Sequence, residues 1–142
     1  MSRFRPWILK KVILPQHTDH ARVMWHGSYF NLLEESRIKA LISSGIEYIT
    51  LVNKGFELPV LDLNIQYISP IFMGDEIDIE TIFSISNSPK VNVVSKFSNK
   101  GLILTKAVIN IVLIDSKNFK IVRKRPSFLL NVFDRLKKGP IN

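Results

Sequence analysis

The 142-residue chain contains no cysteine. A disulfide framework and thiolate chemistry are therefore excluded, and a cytoplasmic location is the simplest expectation. Long apolar runs are also missing, since the stretch from Ile109 to Ile114 falls far short of the roughly 20 residues that cross a bilayer. Lys10 and Lys11 interrupt the apolar start of the chain, so no signal-peptide region develops. We expect one soluble domain over residues 1–142 and no membrane partner.

Acidic residues are scarce, with 12 Asp and Glu against 20 Lys and Arg, and the net charge is +8. Such a balance attracts phosphate-rich ligands and acidic proteins, although a solvated basic surface explains it equally well. No nucleic-acid motif or aromatic stacking pattern accompanies the charge, so we expect no nucleic-acid partner.

The spacing of apolar residues predicts one long helix among several strands. Apolar positions recur at helical intervals from Ser28 to Ser44, and Gly45 is suited to end that helix. A first strand is predicted from Ile8 to Leu14, where Pro15 stops it. Alternating or continuous apolar patterns predict four more strands, over residues 61–67, 77–85, 91–97 and 102–115. A short amphipathic helix is predicted at 128–136, between Pro126-Ser127 and Gly139.

These elements predict an α+β fold, in which a curved antiparallel β-sheet is wrapped around one long central helix and a short C-terminal helix follows. No linker, repeat or compositional break divides the chain, so a single domain is the simplest interpretation.

Asp19 and His26 lie on either side of the predicted junction between the first strand and the long helix. A carboxylate and an imidazole seven residues apart there are candidates to share one pocket. The helix start also presents unpaired backbone N–H groups, so the amides near Trp25, His26 and Gly27 are oxyanion-hole candidates. The alternatives are structural: Asp19 as the cap of a turn and His26 as a buried histidine bonded to a carbonyl.

Three segments in this order resemble a known family: His17-Thr18-Asp19, then the run from Val23 through His26 to Tyr29, then Glu34-Glu35-Ser36-Arg37. The chain is similar along its whole length to hotdog-fold acyl-CoA thioesterases of the 4-hydroxybenzoyl-CoA thioesterase type. The turn from Pro70 to Glu76 also looks like a turn of that family. One position departs from the pattern, because Arg22 stands where the family commonly has glycine.

The resemblance implies an acyl-CoA thioesterase for small or medium acyl groups, aromatic groups included. Asp19 would be the catalytic nucleophile or general base. His26 would hydrogen-bond the substrate thioester or organise the residues around it. The resemblance also implies oxyanion or substrate contacts from His17, Arg22, Trp25 and Gly27, no metal or cofactor, and a homodimer or homotetramer with active sites at subunit interfaces. His17 and His20, with Asp19 and His26, also raise a metal-site alternative, but His17, Asp19 and His20 do not match a familiar zinc-ligand spacing.

Two other functions stay open at this point: hydrolysis of acyl-carrier-protein thioesters and non-catalytic acyl-CoA binding. A hotdog dehydratase needs a different His and acidic constellation, which is not found. Cations that would suit the phosphates of coenzyme A are Lys90, Lys96, Lys100, Arg123, Lys124 and Arg125.

Overall fold

The structure is a computed structural model that describes residues 4–141. Within that range the helices and strands are β1 (Trp7–Val12), α1 (His26–Ser44), α2 (Tyr48–Asn53), β2 (Phe56–Glu57), β3 (Val60–Tyr67), β4 (Glu76–Ser84), β5 (Lys90–Asn99), β6 (Leu102–Val112), β7 (Ile114–Asp115), β8 (Lys120–Ile121) and α3 (Ser127–Lys138). A 3-10 helix, Pro15–His17, follows β1.

The main sheet has five antiparallel strands in the order β1-β4-β5-β6-β3. Alternate side chains of β4 and β5 are buried, as in a sheet with one covered face. Helix α1 supplies the cover, because its buried residues recur every three or four positions. The predicted α+β architecture, an antiparallel sheet on one long helix with a short C-terminal helix, is confirmed.

Helix α1 ends as predicted and begins earlier than predicted. Gly45 adopts a left-handed φ of 118° and its N–H donates to the carbonyls of Leu41 and Ile42. The helix begins at His26, two residues before the predicted start, after an extended Trp25. His26 and Gly27 lie outside the apolar repeat that predicted the helix, so periodicity alone placed its start too late.

A second, three-stranded sheet of order β2-β7-β8 and the short helix α2 were not predicted. Strands of two residues have no periodic pattern, so sequence spacing does not detect them. The predicted strand over 102–115 is two strands, broken at buried Leu113, whose carbonyl accepts the N–H of Val122. Strand β1 likewise ends at Val12, two residues before the predicted end; the next residue, Ile13, donates its N–H to the carbonyl of Asp75 in the loop before β4.

Arg37 is a buried cation on α1 and fastens the helix to the segment before β3. Its guanidinium donates to the Leu58 carbonyl at 2.7 Å and pairs with Glu34 at 2.6 Å. Of the helices that the structure describes, none combines the length and apolar character needed to span a membrane.

Candidate active site

Asp19 lies in a tight turn that its own carboxylate holds together. Its Oδ1 accepts the N–H groups of Ala21 at 2.8 Å and Val23 at 3.3 Å. Its backbone accepts from Arg22 at 3.0 Å and donates to Val23 at 2.9 Å. No hydrogen bond of Oδ2 is found among residues 4–141, and the side chain is exposed. Asp19 therefore caps a turn, which is its structural role, and still presents one free carboxylate oxygen.

The turn is fixed to the main sheet through the loop before β4. Val23 forms an antiparallel bridge with Phe72, and Met24 N–H donates to the Ile71 carbonyl at 2.7 Å. Met73 N–H donates to the Arg22 carbonyl at 3.0 Å. The Asp19 turn consequently has a defined position at the end of the sheet where β4 begins.

Arg22 adopts a left-handed backbone, with φ of 63°. Left-handed φ favours glycine, because a β-carbon crowds the backbone there. The turn thus keeps a glycine-type conformation although arginine occupies the position. The Arg22 side chain is exposed.

Two amides at the start of α1 are left without an acceptor. Trp25 N–H, one of the three predicted candidates, donates to the His17 carbonyl at 3.2 Å. The N–H groups of His26 and Gly27 begin the helix, which has no side-chain cap, and within the described chain they meet no acceptor. They form a pair of donors at the positive end of a 19-residue helix.

A cleft of about 300 Å³ opens beside this helix start. Its lining residues are Val23, Met24, His26, Tyr29, Tyr67, Ile68, Ser69 and Pro70. The rings of Tyr29 and Tyr67 meet edge to face with centroids 4.9 Å apart. Burial is the main cause that raises the pKa of Tyr29 above its ordinary value. The phenol therefore stays neutral and acts as a wall of the cleft.

The remaining predicted site residues occupy distinct places around this cleft. His26 lines it, is exposed, and makes edge contacts with the rings of Trp25 and Phe30. His17 has a structural bond, since its Nδ1 accepts the Leu14 N–H at 2.9 Å. Asp19 does not line the cleft, and no ion pair joins it to His26 in the described part of the protomer.

The indole of Trp25 covers Gly27. A β-carbon built on Gly27 would lie 2.1 Å from the indole Cη2 atom, so only glycine leaves room for the ring. Trp25 remains 42% exposed, and its ring forms one side of the helix start.

Of the eight residues that line the cleft, only His26 was predicted as a site residue; the other seven, Met24 and Tyr67 among them, were not. Tyr67 comes from β3, far along the chain from α1, and only strand pairing brings it to Tyr29. The alternating pattern placed Tyr67 in a strand but carried no signal of its partner.

The candidate phosphate-binding cations are spread over the surface. Lys90 begins β5, Lys96 lies on its exposed face, Lys100 occupies the β5–β6 turn, and Arg123 and Lys124 precede α3. Arg125 is engaged structurally, since it donates to the carbonyls of Ser86 and Ser88 at 2.8 Å each. Burial lowers the pKa of its guanidinium.

In residues 4–141 no cluster of three or more His, Asp or Glu is arranged to hold a metal ion.

An antiparallel sheet packed on one long helix, with a short C-terminal helix, is the hotdog architecture. The chain belongs to the thioesterase-like superfamily, whose family model matches residues 13–132. It is accordingly a thioester hydrolase.

Individual relatives agree with this membership. A candidate esterase of Synechocystis, sll0410, is 30% identical over 118 residues, which are 80% of this chain and 70% of that protein. A candidate acyl-CoA thioesterase of Bacillus subtilis, YneP, is 27% identical over 112 residues, 78% and 81% of the two chains. The crystal structure of a Synechocystis 1,4-dihydroxy-2-naphthoyl-CoA thioesterase has a TM-score of 0.81 at 17% identity, covering 91% of this chain and 96% of that one. This structural similarity shows a shared fold.

Proposed function

We propose that the protein hydrolyses acyl-CoA thioesters of small or medium acyl groups, aromatic ones included, at the cleft beside the start of α1. The observation that carries this proposal is the pair of unpaired amides on His26 and Gly27, next to a cleft that His26 itself lines. Donors fixed at a helix N-terminus stabilise the negative charge that develops on a thioester carbonyl oxygen during attack. The similarity to YneP, a candidate acyl-CoA thioesterase, supports coenzyme A as the thiol.

The chemistry needs one activated oxygen nucleophile and no metal or redox cofactor. In one route the Asp19 carboxylate takes a proton from water, whose oxygen bonds to the carbonyl carbon as the C–S bond breaks. In the other, an Asp19 oxygen attacks that carbon, expels the thiolate and forms a mixed anhydride, which water then cleaves. Both routes end in a carboxylic acid and the free thiol of coenzyme A. The free Oδ2 of Asp19 supports either role.

The size and lining of the cleft support the proposed range of acyl groups. About 300 Å³ is at the lower end of the volumes that enclose small ligands. The tyrosine pair and Met24 supply an apolar and aromatic wall, which suits a short aliphatic chain or an aromatic ring.

We further infer that a second copy completes the site, because the cleft of one protomer lacks Asp19 and lies beside the open edge strand β3. Seven of the eight residues of β3 are exposed, Leu61 and Leu63 among them. An edge strand with apolar side chains is prone to pair with another chain. The proposed assembly is a cytoplasmic homodimer joined along β3, with two dimers pairing into a homotetramer.

The test is thiol release from a panel of aliphatic and aromatic acyl-CoAs and from one acyl-carrier-protein thioester. Asp19→Asn is the informative variant, because asparagine retains the Oδ1 acceptor of the turn and removes the carboxylate. We expect wild-type activity on acyl-CoA and a loss of at least about a hundredfold in Asp19→Asn at unchanged melting temperature. Asp115→Asn is the matched control and should retain activity, because the Oδ1 of Asp115 also accepts a backbone N–H, that of Lys117 at 2.8 Å, and Asp115 lies outside both the cleft and β3. Equal activity of wild type and Asp19→Asn would remove Asp19 from the mechanism.

Labelled water tests for the nucleophilic route. After turnover in H₂¹⁸O, a mixed anhydride opened at its enzyme carbonyl leaves ¹⁸O in the Asp19 carboxylate, which mass spectrometry of the Asp19 peptide detects. General-base catalysis puts the label only into the released acid, as does an anhydride opened at its acyl carbonyl, so label in Asp19 identifies the nucleophilic route.

A further inference from the structure

A second concave surface lies on the main sheet at the end far from the Asp19 turn. We call it the β4–β5 groove; its volume is about 430 Å³. Its lining residues are Phe4, Ile82, Phe83, Ser84, Ile85, Ser86, Ser88, Lys90, Asn92, Asn110 and Lys137. Asn92 and Asn110 alternate with buried neighbours along β5 and β6, so their side chains lie on the sheet face opposite α1.

The β4–β5 groove is separate from the thioester cleft. Strand β4 runs from Glu76, beside the Asp19 turn, to Ser84 in the groove. At about 3.3 Å per residue, this strand separates the two places by roughly 25 Å.

The charge on the side chains that line the groove is positive; a carboxylate touches this lining at Asn110, whose amide donates to Asp62 Oδ1 at 2.8 Å. The lining has two lysines, Lys90 and Lys137, and no acidic residue. Neither lysine forms an ion pair with any described residue. By contrast, the depression near the start of β4 is lined by both acids and bases, and Lys10 pairs there with Asp78 at 3.2 Å. The β4–β5 groove therefore offers two free cations to an anion.

The loop that forms one wall of the groove is held in place. The Arg125 guanidinium donates to the Ser86 and Ser88 carbonyls at 2.8 Å each and lies over the Phe133 ring at 5.1 Å. Across the floor, the Asn92 amide donates to Asn110 at 3.2 Å. These bonds preorganise the polar wall, which reduces the ordering cost of binding.

An exposed aromatic ring completes the groove. Phe4 is 54% exposed, and Lys137 Nζ lies 5.7 Å from its ring centroid. A ring of this kind, next to a lysine, provides a stacking surface for a flat base.

We propose that the β4–β5 groove binds a nucleotide. Lys90 and Lys137 contact its phosphate, the loop hydroxyls and asparagine amides hydrogen-bond to its polar groups, and Phe4 stacks on its base. The nucleotide is either free or the adenine nucleotide end of coenzyme A.

Calorimetric titration with ADP at low salt tests the proposal. Wild type should bind saturably, and Lys90→Ala and Lys137→Ala should each raise Kd by roughly tenfold. Lys106→Ala is the matched control, because it removes the same charge from the same sheet face outside the groove. Phe4→Ala should weaken binding of ADP and leave that of inorganic pyrophosphate unchanged. Absence of saturable ADP binding, or an equal effect of Lys106→Ala, overturns the proposal.

A kinetic experiment identifies the source of the nucleotide. Of the measurements on the groove, only this one rests on the proposed thioesterase function. If the groove holds the nucleotide end of coenzyme A, ADP should compete with acyl-CoA, and Lys90→Ala should raise the KM for acyl-CoA. Free-nucleotide binding gives no such competition. Hydrolysis of an acyl-pantetheine, which lacks the nucleotide, reports on the cleft by itself. Failure of the thioesterase proposal is thereby distinguished from failure of ADP binding.

Discussion

The indole of Trp25 occupies the space that a β-carbon on residue 27 would fill, within 2.1 Å of its ideal position. Gly27 also provides one of the two free amides at the start of α1. The absence of a side chain at position 27 thus lets an aromatic ring pack directly against the proposed oxyanion site.

Gly27→Ala should displace the indole and leave the fold intact. Trp25 is 42% exposed, so its ring can rotate into solvent. Alanine also favours the helix by about 1 kcal/mol, so the free energy of unfolding should change little. We expect a red shift of Trp25 emission in a Trp7→Phe background and a roughly tenfold lower kcat. Ser28→Ala, in the same helical turn, is the control. An unmoved emission spectrum contradicts the steric account.

Arg22→Gly should stabilise the protein, because Arg22 has φ of 63°. Relief of the left-handed strain contributes about 1 kcal/mol, and the greater freedom of glycine in the unfolded chain offsets part of it. Arg22→Val, with a branched β-carbon, should destabilise by roughly 1–2 kcal/mol. The free energy of unfolding, measured with urea, should decrease in the order Arg22→Gly, wild type, Arg22→Val. A glycine variant less stable than wild type would contradict the strain account, because the entropy cost of glycine would then exceed the strain relieved at position 22.

Most of the elements predicted from sequence bury one face at regular intervals. Strand β3 is the exception, because the alternation over residues 61–67 predicted a half-buried strand and seven of its eight residues are exposed. Alternation of Ile77, Ile79 and Phe83 predicted β4, and the structure buries all three side chains. Helix α2 and the three-stranded sheet were missed because each is too short to show a period.

The candidate site was predicted in part for a related reason. Asp19 and the start of α1 are close in sequence, so one continuous block identified them. The aromatic wall depends on Tyr67 reaching Tyr29 through the pairing of β3 with β6. That contact is set by tertiary packing, and no local pattern encodes it.

Glu35 should stabilise the fold at neutral pH and cease to do so in acid. Its carboxylate pairs with Lys11 of β1 at 2.8 Å and with Lys39 at 3.1 Å. Burial acts to raise the pKa of Glu35, but the two lysines outweigh it and hold that pKa below its ordinary value of 4.5. The stabilisation is therefore complete above pH 4.5 and is lost as pH falls through the depressed pKa.

Glu35→Gln should therefore lower the free energy of unfolding at pH 7 by roughly 0.5–1 kcal/mol; the effect is small because solvent screens a partly exposed ion pair. The difference in stability from wild type should disappear at pH values well below the ordinary pKa of Glu35. Urea unfolding at a series of pH values measures this difference. Asp134→Asn, which breaks the more exposed pair with Lys138, should have a smaller effect. If the difference in stability between wild type and Glu35→Gln did not change with pH, the lost stability would come from altered packing and not from the ion pairs.

Lysine at both Leu61 and Leu63 should convert the proposed dimer into monomers. These side chains are 46% and 37% exposed on the unpaired edge strand β3. Burying two lysines between paired strands costs far more than burying two leucines, and like charges repel across a twofold axis. Sedimentation velocity should show the shift, and thiol release should fall with it, because the cleft then lacks its partner. Leu102→Lys introduces a charge at a residue 65% exposed at the start of β6 and should leave the dimer intact. A dimer that survives the double substitution would place the interface elsewhere and remove β3 from the assembly of the site.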